Sequence, residues 1–226
     1  MIAPPSILSP IGEPLSRKHR VLFESEKKAQ LEIVLREMTE LIQPLASIDT
    51  RRRLNLELDR IAQEYLHLKN RAWRLIVSEL PQEELMPFVY GMYDEISNLI
   101  RENTMVLGSE DRGLLLDSID GLRELLEAVV DGLRTEQAEV MDILLECNSS
   151  LQRADMCLST ILLVLMGEVT RWNVSSIKLL CYTANEHTLN IEDIFLMHNK
   201  ELSQRLRTRG EMVSIAEVKH ELGLSG

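Results

Sequence analysis

Two Glu-x-x-His pairs are the residues whose types and spacing best suit metal chemistry. They are Glu64 with His67 and Glu217 with His220. A spacing of three places a carboxylate and an imidazole on one helix face, as in the di-iron helical bundles. Such a site needs two further inward carboxylates, and the sequence pattern supplies none. We therefore interpret both pairs as exposed polar residues and predict neither a metal nor another cofactor.

Other catalytic patterns are equally weak. The tripeptide His67-Leu68-Lys69 lacks the HxxK spacing of a phosphotransfer histidine. The sequence contains no nucleophile elbow, and its glycines are too scattered to form a phosphate-binding loop. We predict no catalytic residues and favour a non-enzymatic function. A helical-bundle enzyme, or a ligand-binding protein with a metal or hydrophobic ligand, remains an alternative.

The three cysteines do not form a recognisable metal or disulfide framework. They are Cys147, Cys157 and Cys181, an odd number without CxxC spacing. Cys147 and Cys157 fall within apolar helical patterns, where a free thiol behaves as a small hydrophobic group. We predict buried, reduced cysteines.

The charge balance restricts the class of partner. The 226 residues include 25 Lys and Arg against 36 Asp and Glu, which gives a net charge of −11. Wholesale binding to nucleic acid or to an anionic membrane needs clustered positive charge. Local basic segments do exist, at residues 17–20 and toward residue 209. A regulator that binds nucleic acid through a local basic surface is therefore a second alternative.

The segment 174–206 has the order of elements found in a helix-turn-helix motif. The pattern predicts two helices, Asn173 to Ala184 and Ile191 to Arg207, with Asn190 capping the second helix. Acidic residues, Glu192 and Asp193, open the predicted second helix, where a DNA-reading helix faces phosphates and base edges. The pattern therefore favours a simple helical hairpin.

Proline placement predicts the domain organisation. Four of the seven prolines lie in the first 14 residues, and none follows Pro87. Since an interior proline breaks a helix, we predict a flexible arm at 1–20, a helical bundle at 21–209, and a short helix or tail at 210–226. The N-terminal residues lack the charged and apolar regions of a signal peptide, which favours a cytoplasmic location.

Apolar residues at spacings of three and four predict the first helices. One helix is predicted at 24–48 and the next at 51–79, joined as an antiparallel hairpin. Pro44 is expected to kink the end of the first helix. Pro81 or Pro87 is expected in the first turn of a third helix, and Ser109 is expected to cap a fourth.

An eleven-residue repeat follows, and its units begin at Arg112, Arg123 and Arg134. Eleven residues make three turns of 3.67 residues each, so equivalent positions stay on one face of a helix. The repeat predicts a long bundle helix over 112–144. The two glycines Gly121 and Gly132 permit close helix approach or mark a break near 132–135.

The apolar stripe continues to residue 165, and from Met156 to Gly167 nearly every face is apolar. A membrane-spanning helix needs roughly 20 residues, so this run predicts a central bundle helix or an oligomer interface instead. Its predicted interface or core residues are Leu158, Ile161, Leu162, Val164 and Leu165. Further structural positions are Leu122, Leu126, Leu133 and Leu144.

Together these patterns predict an all-α antiparallel bundle of six or seven helices, several of them long, with an extended N-terminal arm. We expect a non-enzymatic cytoplasmic scaffold or protein–protein interaction protein that self-associates. Its partner would be a second copy, as a homo-oligomer, or another protein. Nucleic acid is disfavoured by the net charge.

Overall fold

The computed structural model describes residues 25–134 and 139–198, and 87% of these residues are helical. No strand occurs in these two ranges. The all-α prediction is confirmed. The predicted arm at 1–20 and tail at 210–226 lie outside the described residues. The elements are α1 (Ser25–Ile42), a short 3-10 helix (Gln43–Ser47), α2 (Arg51–Val77), α3 (Gln82–Glu102), α4 (Ser109–Arg134), α5 (Glu139–Leu165) and α6 (Val174–His198).

The first two helices form an antiparallel hairpin. An ion pair between Lys27 and Glu79 joins the beginning of α1 to the residues just after α2. Farther along, Arg71 on α2 lies 3.6 Å from Glu37 on α1. As the residue numbers rise on one helix, those of the partners fall on the other. The hairpin predicted from the two stripes therefore has the expected direction.

The third and fourth helices form a second antiparallel hairpin. The guanidinium of Arg123 lies 2.9 Å from the Asp94 carboxylate. Nearer the turn, Arg112 donates a hydrogen bond of 3.2 Å to the backbone carbonyl of Arg101. These contacts link the end of α3 to the beginning of α4.

The last two helices form the third hairpin, in which Nε2 of His198 lies 2.9 Å from a carboxylate oxygen of Glu146. Gly167 follows α5 with a φ of 77°, a backbone region that suits glycine. Two hydrogen bonds satisfy carbonyls at the helix end: Gly167 donates to Val164, and Glu168 donates to Leu163. This pair of backbone hydrogen bonds is the pattern of a Schellman cap.

Helices of different hairpins are not all antiparallel. Near the beginning of α4, Glu110 accepts a 2.7 Å hydrogen bond from Tyr182 on α6. Two turns farther on, Ser118 donates a 3.3 Å hydrogen bond to Asn185. Residue numbers rise together on both helices. Helices α4 and α6 therefore run in the same direction within the bundle.

Helix α5 is the centre of the bundle and contacts each of the other five helices. All residues from Ala154 to Leu165 are buried. This stretch contains the predicted interface or core residues, whose side chains are covered by helices of the same chain: Leu158, Ile161, Leu162, Val164 and Leu165.

The eleven-residue repeat does not lie on one described helix. Helix α4 reaches Arg134 and α5 begins at Glu139. Residues 132–134 of the predicted break are therefore helical, and residue 135 lies outside the described residues. The equivalent positions consequently differ in environment: Ile119 is buried, whereas Met141 is 44% exposed. The side chain of Leu133 lies outside the described residues.

The prediction of two helices after residue 173 is wrong within the described chain. Helix α6 continues from Val174 to His198 without a turn, and Asn190 lies inside it. The buried positions continue across the predicted turn: Ala184, Thr188, Ile191 and Phe195. Because these residues keep the spacing of one helical face, packing sustains the helix there. Within the described residues 174–198, the helix contains no turn of the kind that a helix-turn-helix requires.

Several helix ends in the structure also differ from the predicted ones. Helix α1 ends at Ile42, and Pro44 lies in the 3-10 helix that follows. Pro81 precedes α3 as its N-cap residue, whereas Pro87 lies inside that helix. Neither proline therefore occupies the first turn. Ser109 is the first residue of α4 rather than the residue before it.

Replacing the buried Ile161 with a charged residue tests the assignment of the core. Ile161 is 1% exposed, so Ile161→Asp would strip a carboxylate of water and cost at least about 4 kcal/mol. We expect loss of the cooperative unfolding transition in circular dichroism. Met105→Asp is the matched control because Met105 is 96% exposed, and it should change stability by less than about 0.5 kcal/mol. A folded Ile161→Asp variant with half the mass in light scattering would instead place Ile161 in an oligomer interface.

Candidate binding cleft

A cleft of about 200 Å³ opens beside α5. Side chains from α2, α3, α4, α5 and α6 line it, and most of them are apolar. The walls include Leu122, Leu125, Leu126, Leu144, Ile191 and Phe195. Several of these side chains belong to the predicted structural stripe, so the stripe contributes to a concave surface as well as to the core.

Three buried polar side chains line the cleft, and together with Ser159, which contacts one of them, they form what we call the polar floor: Tyr65, Lys69, Asp155 and Ser159. The Lys69 ammonium forms an ion pair with Asp155. The Tyr65 hydroxyl donates a 2.7 Å hydrogen bond to Oδ2 of the same carboxylate and lies 2.9 Å from the Ser159 hydroxyl. Lys69 is only 5% exposed and Asp155 only 4%. The two buried charges are thus paired with each other, and the carboxylate also accepts a hydrogen bond from a hydroxyl.

Helical spacing explains how these residues come together. Tyr65 and Lys69 lie four residues apart on α2, and Asp155 and Ser159 lie four residues apart on α5. Residues four apart project from the same helix face. The two faces meet where α2 packs on α5, so each helix supplies two of the four groups.

Burial and charge fix the protonation states at the polar floor. Burial lowers the pKa of Lys69, and the Asp155 carboxylate opposes this by favouring the ammonium. Burial and the nearby Asp155 charge raise the pKa of Tyr65 well above its usual value, so Tyr65 keeps the proton that it donates. In the contact between Lys69 and Asp155, one basic and one acidic group face each other. This arrangement is suited to binding a neutral group.

The outer part of the cleft is apolar but exposed. Leu145 is 71% exposed and Met141 is 44% exposed, and both line the opening. On the same helix, Gln152 donates a 3.3 Å hydrogen bond to Asn148. A partner that covers this face would remove two large apolar side chains from water.

The sequence analysis named some of the leucines that line the cleft, but as structural positions, and it did not identify the polar floor. Leu122, Leu126 and Leu144 line the cleft, whereas Ile161 and its predicted companions do not. Two signals point to the missing pair. Lys69 follows Tyr65 by four residues within an apolar stripe, and Asp155 interrupts the apolar face of α5. Such charges inside apolar stripes indicate buried partners.

The first of the two Glu-x-x-His pairs lies on the surface of the described chain, and the second lies beyond it. Glu64 and His67 are exposed on α2, and Glu217 and His220 lie outside the described residues. Across residues 25–134 and 139–198, no group of three or more His, Cys, Asp or Glu side chains is placed to hold a metal ion. In the same ranges, no helix has the length and hydrophobicity needed to cross a membrane.

The cysteines are buried free thiols, as predicted. Burial raises the pKa of Cys147 to about 12. It also raises the pKa of Cys157 and Cys181 above the usual thiol value. At neutral pH these thiols are protonated, which makes them poor nucleophiles.

Comparisons of the chain with protein-family models, curated proteins and solved structures found no match. Evidence for a function therefore comes from the cleft and its chemistry.

Breaking the buried ion pair tests the geometry of the polar floor. Lys69→Met leaves the Asp155 charge buried without its cation and should cost about 3–5 kcal/mol in urea unfolding. The double variant Lys69→Met/Asp155→Leu removes both charges and should recover most of that loss. Arg71→Met is the control, since Arg71 pairs with Glu37 at an exposed position and should cost less than about 1 kcal/mol. Equal costs for Lys69→Met and Arg71→Met would contradict a buried pair.

Burial of Cys157 predicts a specific loss of stability at alkaline pH. Its pKa is raised in the folded state, so the unfolded chain releases this proton first as the pH rises above 9. Stability should then fall by up to about 1.4 kcal/mol per pH unit from this thiol. Cys157→Ala should show a shallower decline of unfolding free energy between about pH 9 and pH 10. Lys69 has the opposite effect on the pH dependence of stability, but it is present in both the wild-type chain and the Cys157→Ala variant. If the unfolding free energies of the two proteins declined in parallel, Cys157 would not be buried.

Proposed function

We propose that the protein is a non-enzymatic cytoplasmic interaction protein whose cleft receives an apolar anchor side chain from a protein partner. If the protein partner is a second copy of this chain, the protein self-associates through the cleft. The observation that carries the proposal is the exposure of Leu145, 71%, at the opening of a cavity walled by leucines. Apolar residues around a concave surface are typical of binding sites.

The size of the cavity supports a single large anchor. An apolar cavity of about 150 Å³ holds one benzene molecule, so about 200 Å³ accommodates a large side chain. Binding energy in protein interfaces is concentrated in a few such anchors at the centre of the contact. Burial of Leu145 and Met141 around the anchor would add about 25 cal/mol for each Å² removed from water.

The described basic residues give less support to the nucleic-acid alternative. Arg51, Arg52 and Arg53 are exposed at the beginning of α2. However, Arg51 forms an ion pair with Glu186, and Arg53 lies 3.8 Å from Asp49. These acidic neighbours weaken the attraction of the arginines for phosphate.

A second candidate function is binding of a small hydrophobic ligand, without a protein partner. The polar floor favours it, because convergent polar groups at the end of an apolar pocket orient ligands. Both candidates use the same cleft and differ in whether its occupant belongs to a protein.

Photo-crosslinking tests the proposed function. The photoreactive residue p-benzoylphenylalanine is placed at position 145 of the full chain, and cells are irradiated. We expect a protein adduct, identified by mass spectrometry, that does not form when the same residue is placed at position 105. Met105 is the matched control because it is 96% exposed and does not line the cleft. An adduct with the same chain would identify a homo-oligomer.

Two results would contradict the proposal. The first is the absence of a protein adduct specific to position 145. The second is an identical set of adducts at positions 105 and 145, which would mean that the cleft does not select a partner.

A further inference from the structure

We infer that the cleft recognises a phenol group, with the aromatic ring among the leucines and the hydroxyl at the polar floor. The group could come from a tyrosine of a partner protein, in which case the inference rests on the proposed function. It could also come from a free phenolic molecule. The chemistry at the floor is the same for both sources.

The charges at the polar floor select a neutral ligand. Lys69 and Asp155 lie in direct contact, so an incoming anion is repelled by Asp155 about as strongly as Lys69 attracts it. The opposite holds for a cation. An ion would also lose its hydration on entering an apolar cleft, at a high cost in free energy. A neutral group avoids both penalties.

A hydroxyl can form hydrogen bonds with both charged groups at once. It offers one donor and two acceptor lone pairs. The ammonium of Lys69 has three N–H donors, and its contact with Asp155 needs one of them. A carboxylate can accept several hydrogen bonds. Asp155 can therefore accept one from the ligand hydroxyl in addition to those from Tyr65 and Lys69.

The walls favour an aromatic body for this ligand. The cavity of about 200 Å³ exceeds the volume that holds a benzene ring by enough for a substituent. The aromatic side chains Phe195 and Tyr93 line it, and aromatic rings pack favourably edge to face. A ring is also rigid, so it loses little conformational freedom on binding.

Three compounds of similar shape test the inference on the full chain. They are p-cresol, toluene and 4-methylbenzoate, which present a hydroxyl, no polar group and an anion to the polar floor. We expect p-cresol to bind about tenfold more tightly than either of the other two, because a hydrogen bond to a charged group favours it. Dissociation constants are measured by NMR titration, with chemical-shift changes at residues of α5 locating the site.

A matched pair of variants assigns the preference to the polar floor. Lys69→Met/Asp155→Leu removes the charges of the polar floor, so the preference of this variant should shift toward toluene. Arg71→Met, outside the cleft, should keep the preference for p-cresol. Equal or tighter binding of toluene by the wild-type chain would overturn the inference. So would an unchanged preference in a double variant whose circular dichroism spectrum shows that it is folded.

Two capped peptides that differ only in Tyr or Phe distinguish the two sources. Preference for the Tyr peptide supports a protein anchor, whereas binding of p-cresol without either peptide supports a free phenol. Failure of the proposed function is separately visible. If p-cresol binds but position 145 gives no protein adduct, the phenol site stands and the protein partner does not.

Discussion

The buried Asp155 carboxylate is the constraint on which the arrangement of α2 and α5 depends. Burying an ion costs several kcal/mol unless a counter-ion and hydrogen bonds compensate. Lys69 and Tyr65 supply both, and all three groups must meet within hydrogen-bonding distance. Sliding α2 by one turn along α5 would separate them by about 5.4 Å. Apolar packing tolerates such rearrangements better than a buried charge does, so the ion pair selects one register.

The same constraint explains why a cleft lies at this point. Helix α5 is buried from Ala154 to Leu165, and leucines from α4 and residues of α6 line the cleft beside it. Apolar side chains packed directly onto Lys69 and Asp155 would gain little, because they cannot hydrogen-bond to the paired charges. The walls therefore stand beside the polar floor and leave a space above it. The ion pair required by the core thus also lines the cleft that we propose as a binding site.

The sequence predicts those features that depend on local periodicity. The stripe through Tyr65 predicts α2, and the apolar run around Ile161 predicts a central helix. It does not predict α6 as one helix, because the polar residues 185–187 resemble a turn. Packing of Ala184 and Thr188 outweighs that local signal. Nor does it predict the ion pair, whose partners are 86 residues apart, since periodicity gives the face of a residue but not its neighbour.

Charge acts on two length scales in this protein. The net charge of −11 produces a field that disfavours anionic partners and is screened within about 10 Å at ordinary salt concentrations. Within the cleft, Lys69 and Asp155 cancel each other at contact distance and favour neutrality. A partner that satisfies both conditions carries a neutral group at the point that enters the cleft and few acidic residues around it. The field of the net charge would thus act on a partner as it approaches the protein. The polar floor would act only on the atoms of that partner that enter the cleft.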